Sequence, residues 1–350
     1  MGAYVLKKLN SFIALALVCS MFTGCSNLKL NRPAEEPSGA TASGGAGSNK
    51  NDGANSEAME VEKYNAYVNL NNYMTSRFDQ VLNDYFEKLG DGEQPIIEKN
   101  FSFTMLSITA SNKTDLNNQF GFAEKTPAFS AVDPTVVKLK PVMNDLIVIL
   151  SEAHDYYETK GYVDDNFAKS KELHTKIVKA KDAYYAAANE FLKAMTSLGA
   201  ENRQKSLKKY QEQDEQIRYS ALKFLADAEA LSAEMEGQGV TAANILDLNM
   251  DKYKAKYDVL LEDFKNLSQH VQDDSRVKKE ELDIHSLKRY VDEAKNVKVA
   301  ASEIIERVNK KEKVSDFDLK NRFFVENREG TPEKFSKTLS TAIDNYNRMK

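Results

Sequence analysis

The chain has 350 residues, no tryptophan, two cysteines and a formal net charge of −5. A mildly acidic chain with interspersed signs neutralises phosphates poorly, which excludes nucleic acid as a partner. So few cysteines exclude a disulfide framework, so stability has to come from packing.

Residues 1–24 read as a signal peptide. Lys7 and Lys8 form its positive end, Phe12-Ile13-Ala14-Leu15-Ala16-Leu17-Val18 its apolar core, and Thr23 and Gly24 the small residues before a cysteine. The apolar run is too short to span a bilayer, which takes about 20 apolar residues. Phe22-Thr23-Gly24-Cys25 resembles a lipobox, with Phe22 where leucine is usual. That reading makes Cys25 the lipidation site, places signal cleavage between Gly24 and Cys25, and anchors the mature chain in a lipid bilayer through acyl chains. Ser26 after the cysteine favours the outer membrane, facing the periplasm, by resemblance to enterobacterial lipoproteins. Residues 25–58, rich in Gly, Ser, Asn and Ala with Pro33 and Pro37, read as a flexible, disordered tether.

Residues 59–350 read as one all-helical domain with room for two sub-bundles. Between Pro141 and Pro332 there is no proline, and glycine falls only at 161, 199, 237, 239 and 330. Leu173, Ile177, Ala180, Tyr184, Ala187, Phe191, Ala194 and Leu198 step by four and three, as do Leu207, Tyr210, Asp214, Ile217, Ala221 and Phe224. A 4-3 alternation keeps one seam on one helix face. Helices are predicted near 59–89, 135–160, 165–198, 201–236, 250–271, 284–311 and 332–348, and the fold class is an elongated, antiparallel, all-α bundle of about seven long helices. Asp133-Pro134 and Thr331-Pro332 have the form of an N-cap followed by proline at the first helical position. Residues 90–133, broken by Gly90, Gly92, Pro95, Gly121 and Pro127, are expected as a long loop with short helical turns.

Few residues suggest chemistry. His154 and Glu158 are four apart on one predicted helix, but no Glu-x-x-His of the di-iron bundles occurs, so a surface or capping histidine is expected and no metal. Asp214 interrupts an apolar seam. Folding the chain about Gly199 sets it opposite Tyr184 and Tyr185, whose hydroxyls would satisfy it as a register-fixing residue. The phosphate loop, the Gly-x-Ser-x-Gly elbow and His-Glu-x-x-His are all absent from the sequence, so neither an enzyme nor a cofactor is expected.

The segment from Tyr156 to His174, Tyr-Tyr-Glu-Thr-Lys-Gly-Tyr-Val-Asp-Asp-Asn-Phe-Ala-Lys-Ser-Lys-Glu-Leu-His, resembles the central signature of the YiiG-like bacterial lipoproteins, and Glu62-Lys63-Tyr64-Asn65-Ala66-Tyr67-Val68 is similar to the opening of their folded domain. The resemblance implies an all-helical envelope lipoprotein of unknown activity and carries over no catalytic residue. Within the signature, Asp164 and Asp165 suit a helix cap, and Tyr156, Asp164, Asp165 and His174 form a ligand-binding candidate. The expected role is a non-catalytic interaction or accessory module with an envelope protein as partner. The alternative is a periplasmic helical binding protein for a small ligand or a metal.

Overall fold

The computed structural model describes residues 50–349, and Gly24, Cys25 and most of the tether lie outside the described residues. The described residues are all-α, with no strand among them. In chain order the helices are α1 (Lys50–Tyr73), α2 (Asp79–Leu89), α3 (Ala110–Phe120), α4 (Asp133–Glu158), α5 (Gly161–Asp164), α6 (Ala168–Glu212), α7 (Gln216–Gly237), α8 (Met250–His270), α9 (Asp274–Lys279), α10 (Ile284–Lys310), α11 (Asp316–Leu319), α12 (Arg322–Val325) and α13 (Pro332–Asn347). A π-helical turn, Met74–Phe78, joins α1 to α2. The first helix starts at Lys50, so the last residues of the predicted tether are helical.

The chain divides into two compact units, with the boundary between Met195 and Thr196. In the first unit, Tyr67 of α1, Phe78 of the π-helical turn and Tyr85 of α2 are fully buried with Leu139, Leu146 and Leu150 of α4 and Tyr184 and Phe191 of α6. Phe78 meets Tyr184 edge-on at 5.1 Å between ring centroids. At the polar centre of this unit is Lys63, completely buried. Its Nζ donates to Asp133 Oδ2 and to the Lys125 carbonyl, both at 2.7 Å. Tyr67 Oη donates to Asp133 Oδ1 at 2.5 Å, and the Phe129 N–H donates to Oδ2 at 2.9 Å. Asp133 therefore does not act as the simple N-cap its Asp-Pro dipeptide suggests. It lies inside the first turn of α4 and ties that turn to α1.

In the second unit α7 packs on α8, α10 on α13, and α13 on α7. Their shared core holds Phe224, Leu231, Tyr253, Leu260, Tyr290, Ile304 and Phe335. Two buried tyrosine hydroxyls cross the core to helical carbonyls: Tyr253 to Ala301 at 2.9 Å and Tyr290 to Ala221 at 2.8 Å. Such a partner offsets the cost of burying the hydroxyl with its ring.

The expected corner at Gly199 is overturned. There is no corner at Gly199, because α6 runs unbroken through it to Glu212. Glycine in a helix interior costs only about 1 kcal/mol relative to alanine, which the surrounding helix formers absorb. The turn comes at Gln213–Glu215, where Asp214 adopts φ +53. Asp214 is thus exposed in a link and is no seam residue. Lys279 Nζ at 2.6 Å and Arg276 Nη1 at 3.4 Å bind its carboxylate, in place of Tyr184 or Tyr185. Chiefly through the Lys279 hydrogen bond its pKa is held at about 2. The next helix start is completed from a distance: the buried Glu280 accepts from the Ile217 and Arg218 N–H groups at 2.8 and 2.9 Å. Thr331-Pro332 does start α13 as predicted, with Thr331 Oγ1 accepting from Lys334 N. Residues 90–133 contain one full helix, α3, where only short turns were expected.

Because Lys63 is sealed from water, Lys63→Met should leave the Asp133 carboxylate without its cation and lower stability by about 3–5 kcal/mol. The exposed pair Lys138–Glu190 is the control, and its loss should cost less than about 1 kcal/mol. Urea unfolding of both variants checks the contrast.

Candidate functional site

The sequence signature folds into an aromatic corner between α4 and α6. After Tyr157 the chain turns through Lys160 at φ 56, makes the single turn α5, and turns again through Asn166 and Phe167 at φ 50 and 64. A positive φ is rare for an aromatic residue, and here neighbouring rings hold Phe167 in place. It stacks on Tyr162 at 5.1 Å and meets Phe101 edge-on at 5.2 Å. Gly161 is required by close approach, since a Cβ there would lie 2.8 Å from the Tyr156 ring.

Tyr156, Asp165 and His174 each have a defined task. Tyr156 Oη donates to Asp165 Oδ1 at 2.7 Å, while Asp165 Oδ2 accepts from Lys169 N at 2.9 Å in the first turn of α6. Partial desolvation works against the Asp165 carboxylate, but the Tyr156 bond and the N–H groups of Lys169, Phe167 and Ala168 outweigh it and lower its pKa. Burial, helped by the bond to Asp165, raises Tyr156 above the ordinary tyrosine range. His174 is fully buried and stacked on Tyr85. Its Nε2 is 2.9 Å from the Gly92 carbonyl, and its Nδ1 is 3.2 Å from Tyr85 Oη. A carbonyl can only accept, so Nε2 carries the proton and Nδ1 accepts from the tyrosine. Burial lowers the pKa of His174 below 6.5, which favours this neutral form. Asp164 is exposed and takes no part. The four candidates do not converge on one cavity. Tyr156 and Asp165 close the corner, whereas His174 pins the Gly92 turn to α6. Tyr157, bonded to Ser170 at 2.7 Å, lies between them.

The neighbouring loop is fixed by Tyr157 together with residues of the π-helical turn and α2. Phe103 packs on Tyr157 at 4.4 Å, Arg77 donates to the Ser107 carbonyl, and Asp84 accepts from Leu106 N.

His154, Asp155 and Glu158 form the metal-capable trio among the described residues, with His154 Nδ1 3.4 Å from Asp155 Oδ1 and 3.6 Å from Glu158 Oε2. The two carboxylates are exposed and the imidazole only half-buried, so the trio is a surface group on one helical turn.

Sequence reasoning missed the half-buried polar groups of the second unit. Lys223 of α7 bridges Asp227 on its own helix and Asp263 of α8. Burial and the proximity of Asp227 push Asp263 up to about 7. Arg203 pairs with the half-buried Glu229. Glu236 Oε1 is buried with no hydrogen-bond partner among the described residues, and burial alone pushes its pKa to about 7. Lys223, Asp227, Glu229, Asp263 and Glu236 each lie one residue from a seam residue, and that adjacency was the available signal. A separate groove of about 290 Å³ runs between α10 and α13, lined by Glu293, Asn296, Val299, Lys334, Lys337 and Thr338 among others.

Residues 58–348 match the family model described as "Protein of unknown function (DUF3829)". The chain is 25% identical over 179 residues to the uncharacterized protein YiiG of Escherichia coli (strain K12), a stretch covering 50% of this chain and 51% of that protein, so the chain spans about half the length of the curated relative it matches. No solved structure matches the chain.

His174→Phe should lower stability by about 2–4 kcal/mol above pH 6.5, since two buried polar partners lose their bonds. A depressed imidazole pKa stabilises the fold fully above the unfolded value of 6.5, and that stability is lost as pH falls below it. The variant should therefore show a shallower decline on acidification in urea unfolding at a series of pH values. Glu236 has the opposite sign. Its pKa is raised from 4.5 to about 7, so stability is lost as pH rises through that interval. Glu236→Gln should remove this loss, and a thermal midpoint that gains equally at pH 4.5 and above pH 7 would contradict the assignment.

Proposed function

Since this chain belongs to a family of proteins of unknown function (DUF3829), we propose from its own chemistry that it is a lipid-anchored, non-catalytic helical module of the bacterial cell envelope, held at the outer membrane through acylated Cys25 and acting on an envelope protein partner. One observation supports the non-catalytic role: His174 and Asp165, two of the signature's residues that could do chemistry, are engaged inside the fold. Both ring nitrogens of His174 are occupied, by a backbone carbonyl and by Tyr85. Asp165 is occupied by Tyr156 and by the amides of a helix start. A general base must instead reach the proton it abstracts. The leader and cysteine support the anchor. No helix among the described residues is long and apolar enough to cross a membrane.

The groove between α10 and α13 favours a second reading, a periplasmic binding protein for a small ligand or metal. Thermal shift of the purified protein against metal ions and polar metabolites tests it, and a saturable rise in the midpoint supports it.

Cys25→Ser should move the protein from the membrane fraction to the soluble fraction after a high-salt wash, with its thermal midpoint unchanged. Retention in washed membranes after leader removal would contradict the anchor. Crosslinking of the lipidated protein in intact cells, followed by pull-down, should return a reproducible envelope partner. Turnover of an envelope substrate would contradict the module reading.

A further inference from the structure

The segment between α10 and α13 is held firmly, yet it turns three phenylalanines outward. Arg307, buried at the end of α10, donates to the Glu329 carbonyl from Nε at 2.9 Å and Nη2 at 2.6 Å, and to the Glu312 carbonyl from Nη1 at 3.1 Å. Buried Asp318 accepts from Ser315 at 2.7 Å and Arg328 at 2.8 Å. Thr331 Oγ1 bonds to the Val325 and Arg328 carbonyls. Gly330 at φ +69 sits where a Cβ would come within 2.6 Å of the Glu303 carbonyl. So fixed, the segment buries Val314 and Val325. The same geometry leaves Phe317 70%, Phe323 66% and Phe324 38% exposed. The three rings form one cluster, with Phe317 to Phe324 at 5.3 Å and Phe323 to Phe324 at 6.0 Å. An aromatic side chain offers about 150–250 Å², so the cluster approaches the size at which an exposed apolar patch marks a contact surface.

Charge and shape indicate what covers it. The chain as a whole is acidic. Over residues 306–337, however, the exposed cations Lys310, Lys311, Lys313, Lys320, Arg328 and Lys337 outnumber the exposed acids Glu306, Glu312, Asp316 and Glu329 among the described residues, with Lys310 paired to Glu306 and Arg328 to Asp318. The Lys337 ammonium lies 5.9 Å from the Phe323 ring centroid. The rings sit on two single-turn helices, so they offer no long apolar stripe of the kind that receives a partner helix. Apolar rings on a short, firmly held segment with exposed lysines match the boundary of a bilayer, with carbon in the acyl region and ammonium groups at the phosphates.

We infer that Phe317, Phe323 and Phe324 form an interfacial lipid contact, with the adjoining lysines reading anionic headgroups. It is independent of the acyl anchor and would orient the tethered body against the bilayer.

The test uses protein lacking residues 1–25, which keeps every described residue and carries neither leader nor acyl group. The chain has no tryptophan, so Phe323→Trp supplies a single reporter. With vesicles of phosphatidylethanolamine containing a quarter phosphatidylglycerol, its emission should shift to the blue and be quenched by brominated acyl chains. Co-sedimentation with these vesicles should weaken in high salt and be about tenfold weaker on pure phosphatidylcholine or with the combined Phe317→Ser, Phe323→Ser and Phe324→Ser variant, a factor of ten in partition. All three positions are exposed, so the variant should keep its thermal midpoint, and the reporter reading stands without it. Unshifted emission, or sedimentation equal in wild type and variant, overturns the inference. So does capture of an envelope protein through the rings without vesicle binding. Because this protein has no Cys25, failure here leaves the anchor reading untouched, and failure of the anchor leaves this one standing.

Discussion

A helix that ends inside packed protein presents N–H groups that neither the next turn nor water can satisfy, and both units of this chain depend on acids brought in to meet them. Asp165 accepts from Lys169 N, Glu280 from Ile217 N and Arg218 N, and Glu333 from Ala242 N, while Asp133 accepts from Phe129 N in the turn that leads into α4. Only Asp133 also neutralises a buried cation, so Lys63 and the start of α4 become mutually dependent. Each acid comes from a different point in the chain, and together they fix where the corners fall.

The same constraint shapes the functional picture. A carboxylate committed to amide groups and a histidine committed to a carbonyl are poor starting points for proton transfer, because movement of either one strands a buried polar partner. The signature from Tyr156 to His174 thus has a physical role as the device that closes the α4–α6 corner and docks the Gly92 loop. Its tyrosines, glycine and aspartate are matched to each other through the Tyr156–Asp165 bond and the Gly161 approach.

The second unit handles its polar groups differently. Arg307 and Asp318 hold the segment before α13 through carbonyls and side chains. That rigidity gives the outward phenylalanines meaning, because a loose loop could fold its rings away from water. Elsewhere in this unit polar groups are buried less completely: the Lys223–Asp227–Asp263 cluster shares charge across α7 and α8, and Glu236 lacks a partner among the described residues.

The sequence by itself determined the all-α class, the face each long helix buries and the start of α13, because the 4-3 seam and the Thr331-Pro332 cap are local and repeat within a few residues. It could not determine where one helix ends and the next begins. A seam that continues in phase looks the same across a corner, so Gly199 drew the expected turn while the chain turned at Asp214. The candidate site was legible as residue types and illegible as roles. His174 meets Gly92 and Tyr85 across separations of 82 and 89 residues, and Lys63 meets Asp133 across 70. Only tertiary structure decided which polar side chains are buried and paired and which phenylalanines face outward, because burial depends on what folds over a residue rather than on its neighbours in the chain.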